Sequence, residues 1–277
     1  MNEEHVVKIA RELNLKANQV QATEALLNDG STVPFIARYR KEATGTLDEV
    51  AITAIRDRFA QLKELDRRRE SILKSLEETG KLTDELKKKI FAAETLTVLE
   101  DIYLPYRPKR RTRATIAREK GLEPLARLIF EQNEIDLLDE AALFINSEKG
   151  VVSQEDALAG ARDIIAEWVN EDQQARTKIR ELFASKGVFK SKIVSGKEDE
   201  GMKYKDYFHW EEPAGTAPSH RIMAMRRGEK DGFLILRVTP PEEEAIPLLE
   251  SLFVKGEGSA SEQVKMAVHD GYKRLLS

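Results

Sequence analysis

The chain has 277 residues, no cysteine, and 45 Lys/Arg against 49 Asp/Glu, for a formal net charge of -4. Its length allows one or two domains with an ample core, and the lack of cysteine excludes a disulfide framework and thiolate metal sites. With 34% charged residues and a pI near 5.8, it suits amphipathic helices with solvated faces, and any nucleic-acid binding must be local.

The N-terminus, MNEEHVVKIARELNL, has neither the basic end nor the apolar stretch of a signal peptide. No run approaches the roughly 18 apolar residues of a membrane span. The expectation is a soluble cytoplasmic protein with no membrane partner. Residues 3–29 read as two short helices with apolar stripes on Val6, Ile9, Ala10 and Leu13, then on Val20, Ala22, Leu26 and Leu27. The break at Asn14–Asn18 fits a helix-turn-helix, a pattern more common in helix pairs that only pack than in DNA readers. Residues 31–45, STVPFIARYRKEATG, alternate apolar and basic residues tightly. They fit an aromatic, basic contact surface carrying Arg38, Arg40 and Lys41. They also fit a buried turn in which Phe35, Ile36 and Tyr39 pack inward and the arginines pair with acids.

Thr46-Leu47-Asp48-Glu49 has capping-box form and opens a long helix to about Glu78. Glu64/Arg68 and Glu70/Lys74 are favourable i,i+4 pairs on it. Its apolar stripe lapses over Asp66–Glu70, which reads as a solvated face. Gly80 ends it, Thr83 caps a helix through Ala93, and Thr95–Ile102 is a short apolar helix.

That helix delivers the chain to Tyr103-Leu104-Pro105-Tyr106 and a basic run: Arg107, Lys109, Arg110, Arg111, Arg113, Arg118 and Lys120. With one acid, Glu119, the run carries +6, so the rest of the chain carries -10. Pro105 and Pro108 forbid a continuous helix. A connector needs turn residues, but not six excess positive charges.

Beyond Gly121 helical patterns resume around Leu122–Phe130 and Leu137–Ile145. Ser153 opens a second long helix that Gly187 ends. Composition then shifts. Val188–Val194 alternates as a strand does, and Phe233–Val238 reads as another. Asp206–Pro213 is aromatic and acidic. Pro218-Ser219-His220-Arg221 starts a short helix with Ser219 as cap and Gly228 as stop. There, His220 and Arg221 could hold an anion, though residues so placed more often serve as a cap and a salt bridge. Glu242–Val254, with a kink at Pro247, and Ala260–Ser277 are helical. The last of these stops on Arg274-Leu275-Leu276-Ser277 with no cap or polar tail, and reads as a fragment's end.

Four scattered histidines, His5, His209, His220 and His269, offer no metal spacing. No nucleophile elbow, phosphate loop or dinucleotide glycine motif is present. No cofactor and no metal are expected, and nothing points to an enzyme.

Thr32–Gly45 with Leu47-Asp48-Glu49 resembles the opening signature of the bacterial Tex family of transcription accessory proteins. Tyr103–Ala126 is similar to its second signature. Asp206-Tyr207-Phe208, Glu212-Pro213, Pro218–Arg221 and Arg227–Lys230 look like a third, and Tyr272–Leu276 like the start of a fourth. The resemblance implies a helical N-terminal region related to the core of a eukaryotic elongation factor. It also implies a RuvC/RNase H-like domain, a helix-hairpin-helix region and an OB-fold barrel beyond Ser277.

The expected fold is mainly α. It comprises a multi-helix domain with two long helices and helix-turn-helix-like elements, and a small β element at about 188–194 and 232–238. The expected domains are a helical 1–187 and a mixed α/β 188–277. The expected function is a non-catalytic scaffold of a nucleic-acid-binding transcription accessory protein, touching phosphates through the basic connector. The alternative is a protein-interaction scaffold docking an acidic partner such as polymerase. Partners are RNA or DNA, bound weakly by this stretch alone, the transcription machinery, and the remaining domains. Candidate contacts are Arg38, Arg40 and Lys41; Tyr103 and Tyr106 for base stacking; Arg107, Lys109, Arg110, Arg111, Arg113, Arg118 and Lys120; and His220 with Arg221.

Overall fold

The structure, a computed structural model, describes residues 3–107 and 111–276. The chain forms two compact units, the first ending at Tyr106 and the second beginning at Arg107. Gly187, where composition changes, falls within the second unit, because elements on both sides of it share one hydrophobic cluster. The fold is mainly helical with a small antiparallel sheet, as expected.

In the first unit, α1 (Glu3–Glu12) and α2 (Ala17–Asn28) are joined by a break in which Asn14 takes a positive φ of 53°. α3 (Val33–Tyr39) and α4 (Lys41–Thr44) lead into α5 (Glu49–Glu78). That 30-residue helix is about 45 Å long at about 1.5 Å per residue. Its inward stripe, from Ile52 and Ile55 through Phe59 and Leu62 to Ile72 and Leu76, is buried with Ile9, Val20 and Ile36. α6 (Asp84–Ala92) and α7 (Leu96–Tyr103) close the cluster through Ile90 and Leu99. Thr83 caps α6 as expected, and Thr95 caps α7.

Two expectations on α5 are corrected. Its cap is Asp48, whose carboxylate accepts from the Ala51 N–H at 2.8 Å. Thr46 lies outside the helix at φ 65°, because the chain turns through left-handed Gly45 and Thr46 before buried Leu47. The stretch 66–70 is only partly a solvated face. Arg68 turns to Glu100 of α7, with Nε 2.5 Å from Oε1 and Nη2 3.1 Å from Oε2. Arg69 donates to Asp66 and to the carbonyls of Ile90 and Ala93 at 3.3 and 3.0 Å. Those oxygens lie at the C-terminal end of α6, where helix carbonyls lack intrahelical donors. The lapse in the apolar stripe is therefore a polar layer tying α5 to α6 and α7. The two i,i+4 pairs give way accordingly: Glu64 takes Arg67, and Lys74 takes Glu78.

In the second unit, α8 (Arg113–Glu119), α9 (Glu123–Glu131) and α10 (Leu137–Ala142) surround α11 (Gln154–Glu171). Ser153 caps α11, accepting from the Asp156 N–H at 3.1 Å. Ala157, Ala161, Ile164, Ile165 and Val169 of α11 are completely or almost completely buried. The expected single helix from Ser153 to Gly187 is broken at Asp172. Its ψ of 124° is extended, and its carboxylate accepts from the Ala175 N–H to start α12 (Gln173–Lys186).

The sheet follows. β1 (Val188–Ile193) lies between β2 (His209–Pro213) and β3 (Leu234–Thr239), antiparallel to both. α13 (Ser219–Lys230) packs on β3. Its cap position is Pro218, not Ser219. Gly228 does not stop it: it is buried inside the helix, where a Cβ would stand 2.6 Å from Leu234 Cδ1. α14 (Glu242–Phe253), with Pro247 inside it, and α15 (Ser259–Gly271) return to the α11 core through Ala245, Leu249, Val264 and Val268. A turn of π-helix, Tyr272–Leu276, ends the described chain. No helix among the described residues is long and apolar enough to cross a membrane.

Candidate nucleic-acid interface

α3 sorts its residues by helical geometry. Ile36 and Ala37 enter the core, while Phe35, Arg38 and Tyr39 stay outside. Phe35 and Tyr39 are one turn apart, so their rings meet at 5.4 Å between centroids. The Arg40 guanidinium stands 5.5 Å from the Phe35 ring centre. Tyr39 remains 63% exposed. Arg38 is 70% exposed and reaches Glu49 only at 3.9 Å. Lys41 is exposed as well. The inward-packed version of this turn holds for Ile36 alone. Gln19 braces the patch from α2, its amide donating to the Thr44 and Gly45 carbonyls at 3.1 Å each.

The connector separates into different roles. Tyr103 is a core residue, not a stacking platform: it is buried, its hydroxyl lies 3.0 Å from Ser75 Oγ, and the Arg68 guanidinium covers its ring. Tyr106 is half-buried against the first unit's cluster. Arg107 is exposed. Lys109 and Arg110 lie outside the described residues. Arg111 is exposed and donates to Glu119 at 2.8 Å. Arg113 is exposed in the first turn of α8, behind the Thr112 cap. A cation there meets the positive end of the helix dipole, so helix stability does not explain its position.

Three further candidates have structural occupations. Arg118 pairs with buried Glu167 and with Glu123. Lys120 donates to the Gly150 carbonyl at 2.8 Å. Arg221 pairs with Glu212 and covers the Trp210 ring at 4.9 Å. His220, beside it, is exposed. The sequence reading missed Phe35 as an exposed aromatic, and missed Lys190, Lys192 and Arg237 as a basic sheet face. Strand alternation was the available signal for the latter.

Among the described residues, no group of three or more His, Asp or Glu side chains is placed to hold a metal ion. Fold and site together define a mainly helical protein whose described residues include exposed basic regions on α3, at the connector and on the sheet. A family model described as the Tex-like protein N-terminal domain matches residues 3–77, and one described as Tex central region-like matches residues 132–268. The chain belongs to the Tex family. It is 49% identical over 233 residues to the protein tex of Bordetella pertussis, covering 84% of this chain and 30% of that one. It is 40% identical over 270 residues to the transcriptional accessory protein Tex of Neisseria gonorrhoeae, covering 96% and 34%. A human protein, S1 RNA-binding domain-containing protein 1, is 29% identical over 222 residues, covering 77% and 22%. The chain spans about a third of the length of the bacterial relatives it matches.

Proposed function

We propose that this chain is a non-catalytic helical scaffold within a nucleic-acid-binding transcription accessory protein of the cytoplasm, and that it touches RNA or DNA directly. The observation that carries this reading is the α3 patch: two exposed rings in tilted contact, Phe35 and Tyr39, flanked by Arg38, Arg40 and Lys41. Exposed aromatics beside arginines suit single strands, because bases stack on rings while cations hold the phosphates. Arg107, Arg111 and Arg113 add a second phosphate-contacting region on the other unit. Two names among the relatives, a transcriptional accessory protein and an S1 RNA-binding domain-containing protein, support the association. The rest of the protein supplies the larger share of affinity, so this chain alone binds weakly and with little sequence preference.

A second reading rests on Arg118 and Arg221, which are committed to carboxylates within the fold. It makes the region a scaffold for an acidic protein partner in the transcription machinery. Fluorescence anisotropy with single-stranded RNA, single-stranded DNA and duplex DNA across a salt series separates the two. Salt-sensitive binding that Arg38→Glu with Arg40→Glu abolishes supports direct contact. Absence of binding to all three probes leaves the protein scaffold as the reading.

A further inference from the structure

The second unit contains a cleft of about 690 Å³, within the size range of small-ligand sites. It lies over one face of the sheet. Lys190 and Lys192 of β1 and Ile235, Arg237 and Thr239 of β3 line it, with Glu242, Tyr272 and Lys273 opposite. The strand register explains the concentration of charge: Lys190 stands directly across from Arg237. Like charges in that position destabilise an antiparallel pair, so the arrangement costs stability unless something anionic answers it. Lys190 has one carboxylate on its outer side, Glu211 of β2 at 3.6 Å. Glu242 is the one acid among the cleft-lining residues.

Tyr272 supplies an independent sign. It is 1% exposed, yet its buried hydroxyl has no hydrogen-bond partner among the described residues. A buried polar group normally has one, and leaving it unmade is costly. Burial, and then the Glu242 charge, push this hydroxyl's pKa up, so at neutral pH it keeps its proton and can donate.

We propose that this cleft binds a nucleotide through its phosphate, held by Lys190, Lys192, Arg237 and Lys273, with Tyr272 donating from the floor. Glu242 has the chemistry to accept from ribose hydroxyls, as carboxylates beside phosphate sites do. The nucleotide is either free or the 5′ end of a strand. The cleft uses none of the residues assigned to the α3 and connector surfaces, so the two readings fail separately.

Isothermal titration calorimetry of the 277-residue chain with 5′-AMP, adenosine, pyrophosphate and a 5′-phosphorylated tetranucleotide tests it. The expected result is binding of 5′-AMP and no binding of adenosine, with pyrophosphate competing. Arg237→Glu should weaken binding by about tenfold or more, the scale of one lost charge-assisted contact. Tyr272→Phe should weaken it less. Tighter binding of the tetranucleotide than of 5′-AMP identifies a strand end as the source. Arg237→Gln guards against misfolding: it should melt no lower than wild type, because it removes a like-charge opposition. Equal affinity for adenosine and 5′-AMP, no binding of any probe at millimolar concentration, or unchanged affinity in both Arg237→Gln and Tyr272→Phe would overturn the proposal.

Discussion

Arg118 Nη1 donates to Glu167 Oε2 at 2.5 Å, joining the basic run to the C-terminal part of α11. Glu167 is buried, and its other oxygen accepts from the Thr112 hydroxyl at 3.2 Å. This arginine therefore contributes to neutralising a carboxylate held in the core. Removing one partner of such a pair reduces the compensation of a buried charge. Because Arg118 keeps 29% of its side-chain exposure, Arg118→Ala should cost about 2 kcal/mol, below the fully buried range. Urea denaturation checks this. A loss within about 0.5 kcal/mol, the usual surface effect, would show that the pair is dispensable.

The exposed basic regions on α3 and at the connector should behave differently from Arg118. Arg111→Glu with Arg113→Glu should leave stability nearly unchanged, since both side chains are exposed and Arg111's partner, Glu119, is solvated. On duplex DNA, each phosphate contact contributes about -0.9 to the log–log salt slope. Loss of two contacts should flatten that slope by about 1.8. Tyr39→Ala should instead leave the slope alone and weaken single-strand binding by about 1–3 kcal/mol, the range for one stacked base. A slope that moves only with Tyr39 would reverse these assignments.

Glu12 gives a pH test within the first unit. The Arg58 guanidinium donates Nε at 2.7 Å and Nη2 at 3.0 Å to its two oxygens. Hydrogen bonding to Arg58 chiefly holds the carboxyl below its ordinary value, against a smaller opposing effect of burial. A depressed folded value means stabilisation is complete above the unfolded pKa, about 4.3 for glutamate. It is lost as pH falls through the lower folded value. The stability gap between wild type and Glu12→Gln should be widest at pH 7 and close as pH drops below about 4. A gap independent of pH would mean that the pair acts through packing rather than charge.

Gly160 tests packing in the second unit. A Cβ there would run into Leu122 Cδ1, with Ala117 Cβ 3.4 Å away. Leu122 is itself almost fully buried. Gly160→Ala should therefore destabilise by about 1–3 kcal/mol, the usual cost of overpacking, even though alanine is the better helix former. Stabilisation on thermal melting would show that Leu122 moves aside freely.

The parts of this structure visible in the sequence are those that depend on neighbours along the chain. The stripes of α1, α5 and α11 show at helical spacing, and Thr83 and Ser153 cap where they should. The strand at β1 shows by alternation. β2 escaped notice because His209, Glu211 and Glu212 hide an alternating burial pattern beneath an acidic composition. The break at Asp172 escaped because an apolar stripe continues through it, from Val169 to Ile179. For the candidate interface, the sequence marked where positive charge accumulates, but it could not separate Arg113 from Arg118, five residues apart in one run.

By itself, the sequence determined a mainly helical chain, a charged connector stiffened by proline and the residues that resemble the Tex family. Local periodicity, turn chemistry and composition suffice for these. Only the tertiary structure decided which cations are free to act. Arg118 and Arg221 meet Glu167 and Glu212 across the fold, Tyr103 goes under Arg68, and Lys190 is set against Arg237 by strand register. A side chain's charge is a property of its residue. Its solvation and its partner depend on which distant segments fold back against it, and no local pattern encodes that.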